Sequence, residues 1–243
     1  MRRTRIYLDQ PLATGTRVVL DRAAREHLVT VLRQRDGALV NCFNGDGIER
    51  SARLSLSGND AALLIDAAHV LANESPLDLC LLQAIARGEK MDLILQKATE
   101  LGVSRIVPLI TERTEVRMDA ERSARRMAHW GRVVISAAEQ CGRARLPQLC
   151  APVALAGLGA ALAGVSLRLV LAPTAAESLK QRFTPATRLV ALAVGPEGGW
   201  SDTDLRLFAG LGFVDANLGP RILRTETAGL AALAALQVLG GDF

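Results

Sequence analysis

Three short segments combine residue types that bind anions or handle protons. Gly195-Pro196-Glu197-Gly198-Gly199 follows an apolar run, and three glycines around one carboxylate let backbone amides approach a ligand closely. The spacing is not G-x-G-x-x-G and no G-K-[ST] follows, which argues against a dinucleotide fingerprint or a P-loop. An ordinary strand-to-helix turn fits the same residues. Further on, Gly219-Pro220 turns the chain into Arg221-Ile222-Leu223-Arg224. Two guanidiniums three residues apart suit an anion. Glu226 falls in the first turn of the helix expected next, where the dipole alone would favour a carboxylate. The third segment, Glu139-Gln140-Cys141-Gly142-Arg143-Ala144-Arg145, closes a basic stretch. Its arginines suit RNA phosphate or, equally, the end of a helix. Cys141 has no histidine near it in sequence to activate a nucleophile. Lys97 and Glu100 have the spacing of a solvated i, i+3 pair.

These segments need a frame. Residues 1–70 read as short strands and turns, interrupted by one helix over about Arg22 to Leu32. Ala38 to Phe43 runs into Asn44-Gly45-Asp46-Gly47, a strong hairpin signal. Many short strands with one helix predict a small barrel. Leu71 to Pro76 reads as a linker. From Leu77 the pattern alternates between strand and helix. Leu77 to Ile85, Arg105 to Ile110, Leu167 to Leu171, Leu189 to Val194 and Phe213 to Leu218 read as strands. Helical spacing runs from Met91 to Leu101, from Asp119 to Gln140 and from Thr225 to Leu239, with Thr225 or a neighbour as cap of the last. Ser201 with Asp204 predicts a capping box. The Ala/Leu-rich stretch Ala151 to Ala163 reads as helix. The alternation predicts an α/β sheet of parallel strands covered on both faces, with ligands beyond the strands' carboxyl ends.

Composition narrows the classes. The 243 residues are 49% hydrophobic, which excludes wholesale disorder. No apolar run reaches membrane-spanning length, and no apolar h-region follows the basic Met1 to Arg5. Four dispersed cysteines with no C-x-x-C, and three histidines, argue against zinc or disulfides and for reduced thiols in the cytoplasm. Of 29 cationic side chains 26 are Arg, the fork that matches phosphate and stacks on bases. Residues 105–145 carry nine Arg against five acids, the most basic stretch of the chain. Nucleic acid is a fitting partner, although arginine-rich coding bias would leave the same trace.

In order, Arg87-Gly88-Glu89-Lys90-Met91-Asp92, Lys97-Ala98-Thr99-Glu100-Leu101-Gly102-Val103, Glu139-Gln140-Cys141-Gly142-Arg143, Gly195-Pro196-Glu197-Gly198-Gly199 and Leu218-Gly219-x-Arg221-Ile222-Leu223-Arg224-x-Glu226-Thr227-Ala228 resemble the RsmE family. These are small-subunit ribosomal RNA methyltransferases of the SPOUT class. His27-Leu28-x-x-Val31-Leu32-Arg33 and Gly45-x-Gly47 are similar to the family's N-terminal region, so the resemblance covers nearly the whole chain. Arg87 stands where the family often has Lys.

The resemblance implies an RNA-binding PUA-like β-barrel over residues 1–72. It implies a SPOUT methyltransferase domain over residues 73–243, an α/β fold with a deep C-terminal trefoil knot. S-adenosylmethionine (SAM) would lie in the knot, held by Leu171 and Ala172, by Gly195, Pro196, Gly198 and Gly199, and by Leu218, Gly219, Arg221, Ile222 and Leu223. The enzyme would be a cytoplasmic homodimer without metal or membrane, acting on 16S ribosomal RNA within the small ribosomal subunit. The family methylates N3 of one uridine near the decoding centre. Arg224 would stabilise the anionic base, Glu226 or Glu197 would accept its proton, and Arg33, Arg143 and Arg145 would meet RNA. A SPOUT enzyme with another target base, or a non-catalytic assembly factor, would fit the residues too.

Overall fold

Residues 3–114 and 120–243 are described by a computed structural model. The chain forms two compact units. One comprises Met1–Glu74 with Ala138–Leu146, and the other Ser75–Ala137 with Pro147–Phe243.

The first unit is a five-stranded sheet. Its strands are β1 (Thr4–Tyr7), β2 (Arg17–Val19), β3 (Leu39–Phe43), β4 (Ile48–Ser57) and β5 (Asp60–Val70), in the order β1-β3-β4-β5-β2. β1 runs parallel to β3 and the other pairs are antiparallel. No ladder joins β1 to β2 among the described residues, so hydrogen bonding does not close the expected barrel into a ring. All five strands nevertheless feed one apolar core, which includes Ile6, Val18, Val40, Leu54 and Leu63. The turn glycines Gly45 and Gly47 adopt φ of 90° and 89°, conformations that exclude most side chains.

The helix expected over 22–32 starts as α1 (Arg22–Arg25), with Asp21 Oδ1 accepting from the Ala24 N–H at 2.7 Å. From Glu26 to Val31 it widens into a π-helical turn, which buries Leu28 in the core. It ends at Arg33, exposed with φ 53°, the one non-glycine residue with positive φ among those described.

Residues 138–146 complete this unit. Arg5 is buried and donates to the carbonyls of Ala138 (2.6 Å), Glu139 (3.0 Å) and Arg143 (3.0 Å), while pairing with Glu49 at 2.6 Å. Glu139 accepts from the Tyr7 N–H, and burial pushes its carboxyl up, against the opposing pull of that bond. Arg143 is 5% exposed and pairs with Glu74 at 2.7 Å. Its expected contact with RNA is therefore corrected: the buried guanidinium is spent on a partly buried ion pair inside this unit. Arg145 is exposed, with its guanidinium lying over Gly47.

The second unit follows the alternation in the sequence. Its elements are β6 (Asp78–Ala84), α2 (Glu89–Glu100), β7 (Arg105–Ile110), α3 (Ala120–Cys141), β8 (Gln148–Leu149), β9 (Val153–Ala154), β10 (Leu167–Leu171), α4 (Leu179–Arg182), β11 (Leu189–Val194), α5 (Asp202–Gly210), β12 (Val214–Ala216) and α6 (Thr225–Gly240). The last residues of α3, from Ala138, belong to the first unit. Asp119, the expected start of α3, lies outside the described residues. All pairings in the sheet are parallel, in the order β12-β10-β11-β6-β7-β8, with β9 also on β7. The stretch read as helix over 151–163 is instead β9 followed by a 3₁₀ helix, Leu155–Leu162, which buries Leu155, Leu158 and Leu162. An i, i+3 or i+4 leucine pattern serves 3₁₀ and α geometry alike.

Candidate active site

Three neighbouring strands, β10, β11 and β12, end side by side, and each gives way to residues that cannot continue a ladder. Pro173, Gly195-Pro196 and Gly219-Pro220 break the three runs. The loops that follow enclose a cavity of about 550 Å³, in the range of small-molecule sites. Every residue assigned from sequence to the cofactor lines this cavity except Gly198. Gly198 faces the other way, its carbonyl accepting from Arg113 Nη1 at 2.9 Å.

The loops are tied to one another. Trp200 Nε1 donates to the Leu171 carbonyl at 2.9 Å, which joins the β10 loop to the β11 loop. The Trp200 ring meets Phe208 edge-on at 4.9 Å, and Phe208 meets Phe213 in the same way at 4.9 Å. α5 is launched by the predicted capping box, with Ser201 Oγ accepting from the Asp204 N–H and Asp204 from the Ser201 N–H. In the third loop Asn217 donates to the Ala175 carbonyl at 2.7 Å and accepts from the Gly219 N–H at 3.0 Å. Gly219 takes φ 95° there. Arg224, the neighbour of Thr225, is the N-cap of α6 and gives it no side-chain bond; Thr225 is the helix's first residue, and its hydroxyl goes elsewhere.

Charge is distributed unevenly. Arg221 and Arg224 are exposed in the cavity wall, and their guanidiniums form no hydrogen bond or ion pair among the described residues. Lys90, in the first turn of α2, also lines the cavity. Its Nζ stands 3.1 Å from Glu197 Oε1 and 3.7 Å from Glu226 Oε2. Burial pushes the Glu197 carboxyl up, but hydrogen bonds from its own N–H, Lys90 and the Arg87 N–H outweigh it and hold the group below the usual carboxylate range. A carboxyl held low in this way is a weaker proton acceptor than an ordinary one. Glu226 is not in the cavity wall; its side chain turns to Lys90, and its buried Oε2 receives no hydrogen bond among the described residues. Lys97 and Glu100 form the expected local pair at 2.9 Å, away from this site.

Sequence reasoning gave no role to Lys90, Trp200 or Asn217. Lys90 had one visible signal: it is one of three lysines in a chain with 26 arginines. A single ammonium can serve two carboxylates that approach from different directions, which a planar fork does less well. Trp200 and Asn217 act through loop-to-loop bonds that no local spacing reveals.

An RNA methyltransferase domain family matches residues 73–237, and an RNA methyltransferase PUA domain family matches residues 20–66. The class is therefore that of RNA methyltransferases with an appended PUA domain. The ribosomal RNA small subunit methyltransferase E of Buchnera aphidicola subsp. Schizaphis graminum is 31% identical over 98% of this chain and 97% of its own. Among solved structures, the methyltransferase E of Neisseria gonorrhoeae bound to S-adenosyl methionine matches with a TM-score of 0.91 and 37% identity, covering both chains fully. A Legionella pneumophila protein solved in complex with SAM matches with a TM-score of 0.94 and 40% identity, again over both full chains. The chain belongs to the ribosomal RNA small subunit methyltransferase E family.

Proposed function

We propose that this protein is a SAM-dependent methyltransferase that modifies N3 of one uridine of 16S ribosomal RNA in the small ribosomal subunit. The observation that carries this reading is the cavity at the ends of β10, β11 and β12, where glycine-rich loops and two unpaired arginines converge. The cavity fits SAM. Gly195 and Gly199 admit close backbone approach, while Leu171, Ile222 and Leu223 offer apolar surface to an adenosine. When bound, SAM supplies a methyl group made electrophilic by its sulfonium.

The chain's residues must supply the rest. Uracil N3 carries a proton and becomes a useful nucleophile once it leaves. Arg224, free at the rim, stabilises the resulting anion. Lys90, which lines the cavity, relays the proton: it passes one of its own to Glu226 Oε2, 3.7 Å behind it, as it receives the one from N3. Glu197 holds Lys90 and the glycine loop in place. The tied loops position the reactants and exclude water. N3 lies on the pairing edge of the base, so the target uridine is unpaired or splayed out.

Residues 1–72 serve in this reading as a PUA-like RNA-binding module, with Arg33 and Arg145 facing the RNA. Residues 73–243 form the catalytic SPOUT domain. Its C-terminal segment threads a trefoil knot, which is supported by the return of the chain from edge strand β12 to α6, packed on β6, β11 and α2. The protein acts as a homodimer in the cytoplasm; exposed Val238 and Phe243 support the first, four free cysteines the second. The decisive experiment supplies labelled SAM with unmodified small subunits or with naked small-subunit RNA, and identifies the labelled nucleoside by mass. Label in 3-methyluridine, mainly from the subunit, is the expected result, with Arg224→Ala abolishing it at unchanged SAM affinity. SAM binding with no label in any RNA would overturn the reading in favour of an assembly factor.

A further inference from the structure

Gln83, near the end of β6, is completely buried, yet its Oε1 has no hydrogen-bond partner among the described residues. A buried amide with one unsatisfied end is costly, and a leucine or methionine would fill the space without that cost. Its other end explains the choice. Gln83 Nε2 donates to the Ala84 carbonyl at 2.9 Å and to Thr225 Oγ1 at 3.1 Å. Thr225 Oγ1 in turn donates to the Gly195 carbonyl at 2.6 Å. The direction is forced: a hydroxyl has one proton, and the Gly195 carbonyl can only accept it. Gly229, one turn along α6, lets this helix close on the pair, since an added Cβ would lie 3.4 Å from both Gln83 Oε1 and Val194 Cγ2.

The bond falls on a peptide with no other handle. Gly195 is followed by Pro196, so the peptide between them has a carbonyl and no N–H. Gly195 also lacks a side chain to pin it. Its carbonyl is thus the means by which the rest of the fold can set the orientation of this peptide, and Gly195, Pro196 and Thr225 all line the cavity.

We propose that Gln83 and Thr225 are positioning residues for the cofactor: a directed hydrogen-bond relay from the sheet through α6 that sets the Gly195–Pro196 peptide for SAM. The inference rests on the reading that SAM occupies this cavity. The test measures SAM affinity by calorimetry and thermal stability without ligand, in the full-length protein and in Thr225→Val, Thr225→Ser and Gln83→Met. Wild-type binding comes first, because its absence would overturn the cofactor reading itself. Given that binding, Thr225→Val and Gln83→Met are expected to weaken SAM about 5- to 30-fold, as befits one or two lost hydrogen bonds. Thr225→Ser restores affinity to within about twofold, because it keeps the hydroxyl. Gln83→Met is expected to melt at or above the wild-type temperature, since it removes the orphaned oxygen. A merely structural role would instead lower its melting temperature. Unchanged affinity in Thr225→Val, or failure of Thr225→Ser to restore it, would refute the relay, as would loss of affinity in Gln83→Met that only tracks loss of fold.

Discussion

Gly195→Ala is a one-carbon change whose cost is set by what surrounds it. An alanine Cβ at this position would stand 3.2 Å from Trp200 Cε2 and 3.4 Å from Cδ2 and Nε1. Contacts that short require a neighbour to yield by a few tenths of an ångström. Trp200 is badly placed to yield: its N–H is committed to the Leu171 carbonyl at 2.9 Å, and its ring abuts the fully buried Phe208 at 4.9 Å. Any shift of the indole is therefore passed to Leu171, which also lines the cavity. Overpacking of this kind costs about 1–3 kcal/mol, which corresponds to about 5- to 150-fold in SAM affinity if it is expressed at the site. Gly199→Ala is the control. It meets nothing within 4 Å, but it sits at φ 68°, so its cost is backbone strain of about 1 kcal/mol without steric transmission. Calorimetric titration with SAM, alongside thermal melts of both variants, separates site from fold. Gly195→Ala should lose affinity beyond what its melting temperature accounts for, and more than Gly199→Ala does. If Gly195→Ala binds SAM as the wild type does, the indole is not the rigid wall described here and the argument fails.

Arg143→Ala should destabilise the first unit by about 1–3 kcal/mol, because it leaves the partly buried Glu74 without its partner, and should leave SAM affinity unchanged; a melt without a shift would return Arg143 to the RNA-binding set. Arg33→Gly should raise the melting temperature while weakening RNA binding, since glycine tolerates φ 53° and removes a cation; a fall in both would mean that the π-helical turn needs the arginine side chain. For Glu197 the folded carboxyl is depressed, so its contribution to stability is present above the ordinary carboxylate pKa of about 4.3 and is lost as pH falls through the folded value. Melts of wild type and Glu197→Gln should therefore differ at neutral pH and converge toward the acid end; a pH-independent gap would locate the effect in packing instead of in the Lys90 bond. The gap should be small, because the side chain is about a third exposed.

What the sequence disclosed depended on the range of the interaction that carries each feature. The strand β11 was visible because burial on both faces leaves a continuous apolar run, and the Ser201–Asp204 capping box because its partners are three residues apart. The glycine loop and the Arg221–Arg224 pair were visible for the same reason: each is one local string. The π-helical turn over Glu26–Val31 was not, because one extra residue per turn leaves the apolar spacing almost unchanged. Arg143 was misplaced because its chemistry suits a phosphate and a carboxylate alike, and Glu74, which decides between them, lies 69 residues away. Lys90 joins Glu197 from 107 positions away and Gln83 joins Thr225 from 142. Both bonds tie α6 and the glycine loop to elements laid down early in the chain. Neither could be drawn before the topology was known, since parallel strands place the ends of β6 and β11 side by side only through the crossovers between them. The functional site is therefore composed of legible pieces held in an illegible arrangement. A peptide such as Gly195–Pro196, invariant in its local chemistry, acquires a defined orientation only from the hydroxyl that the end of the chain brings back to it.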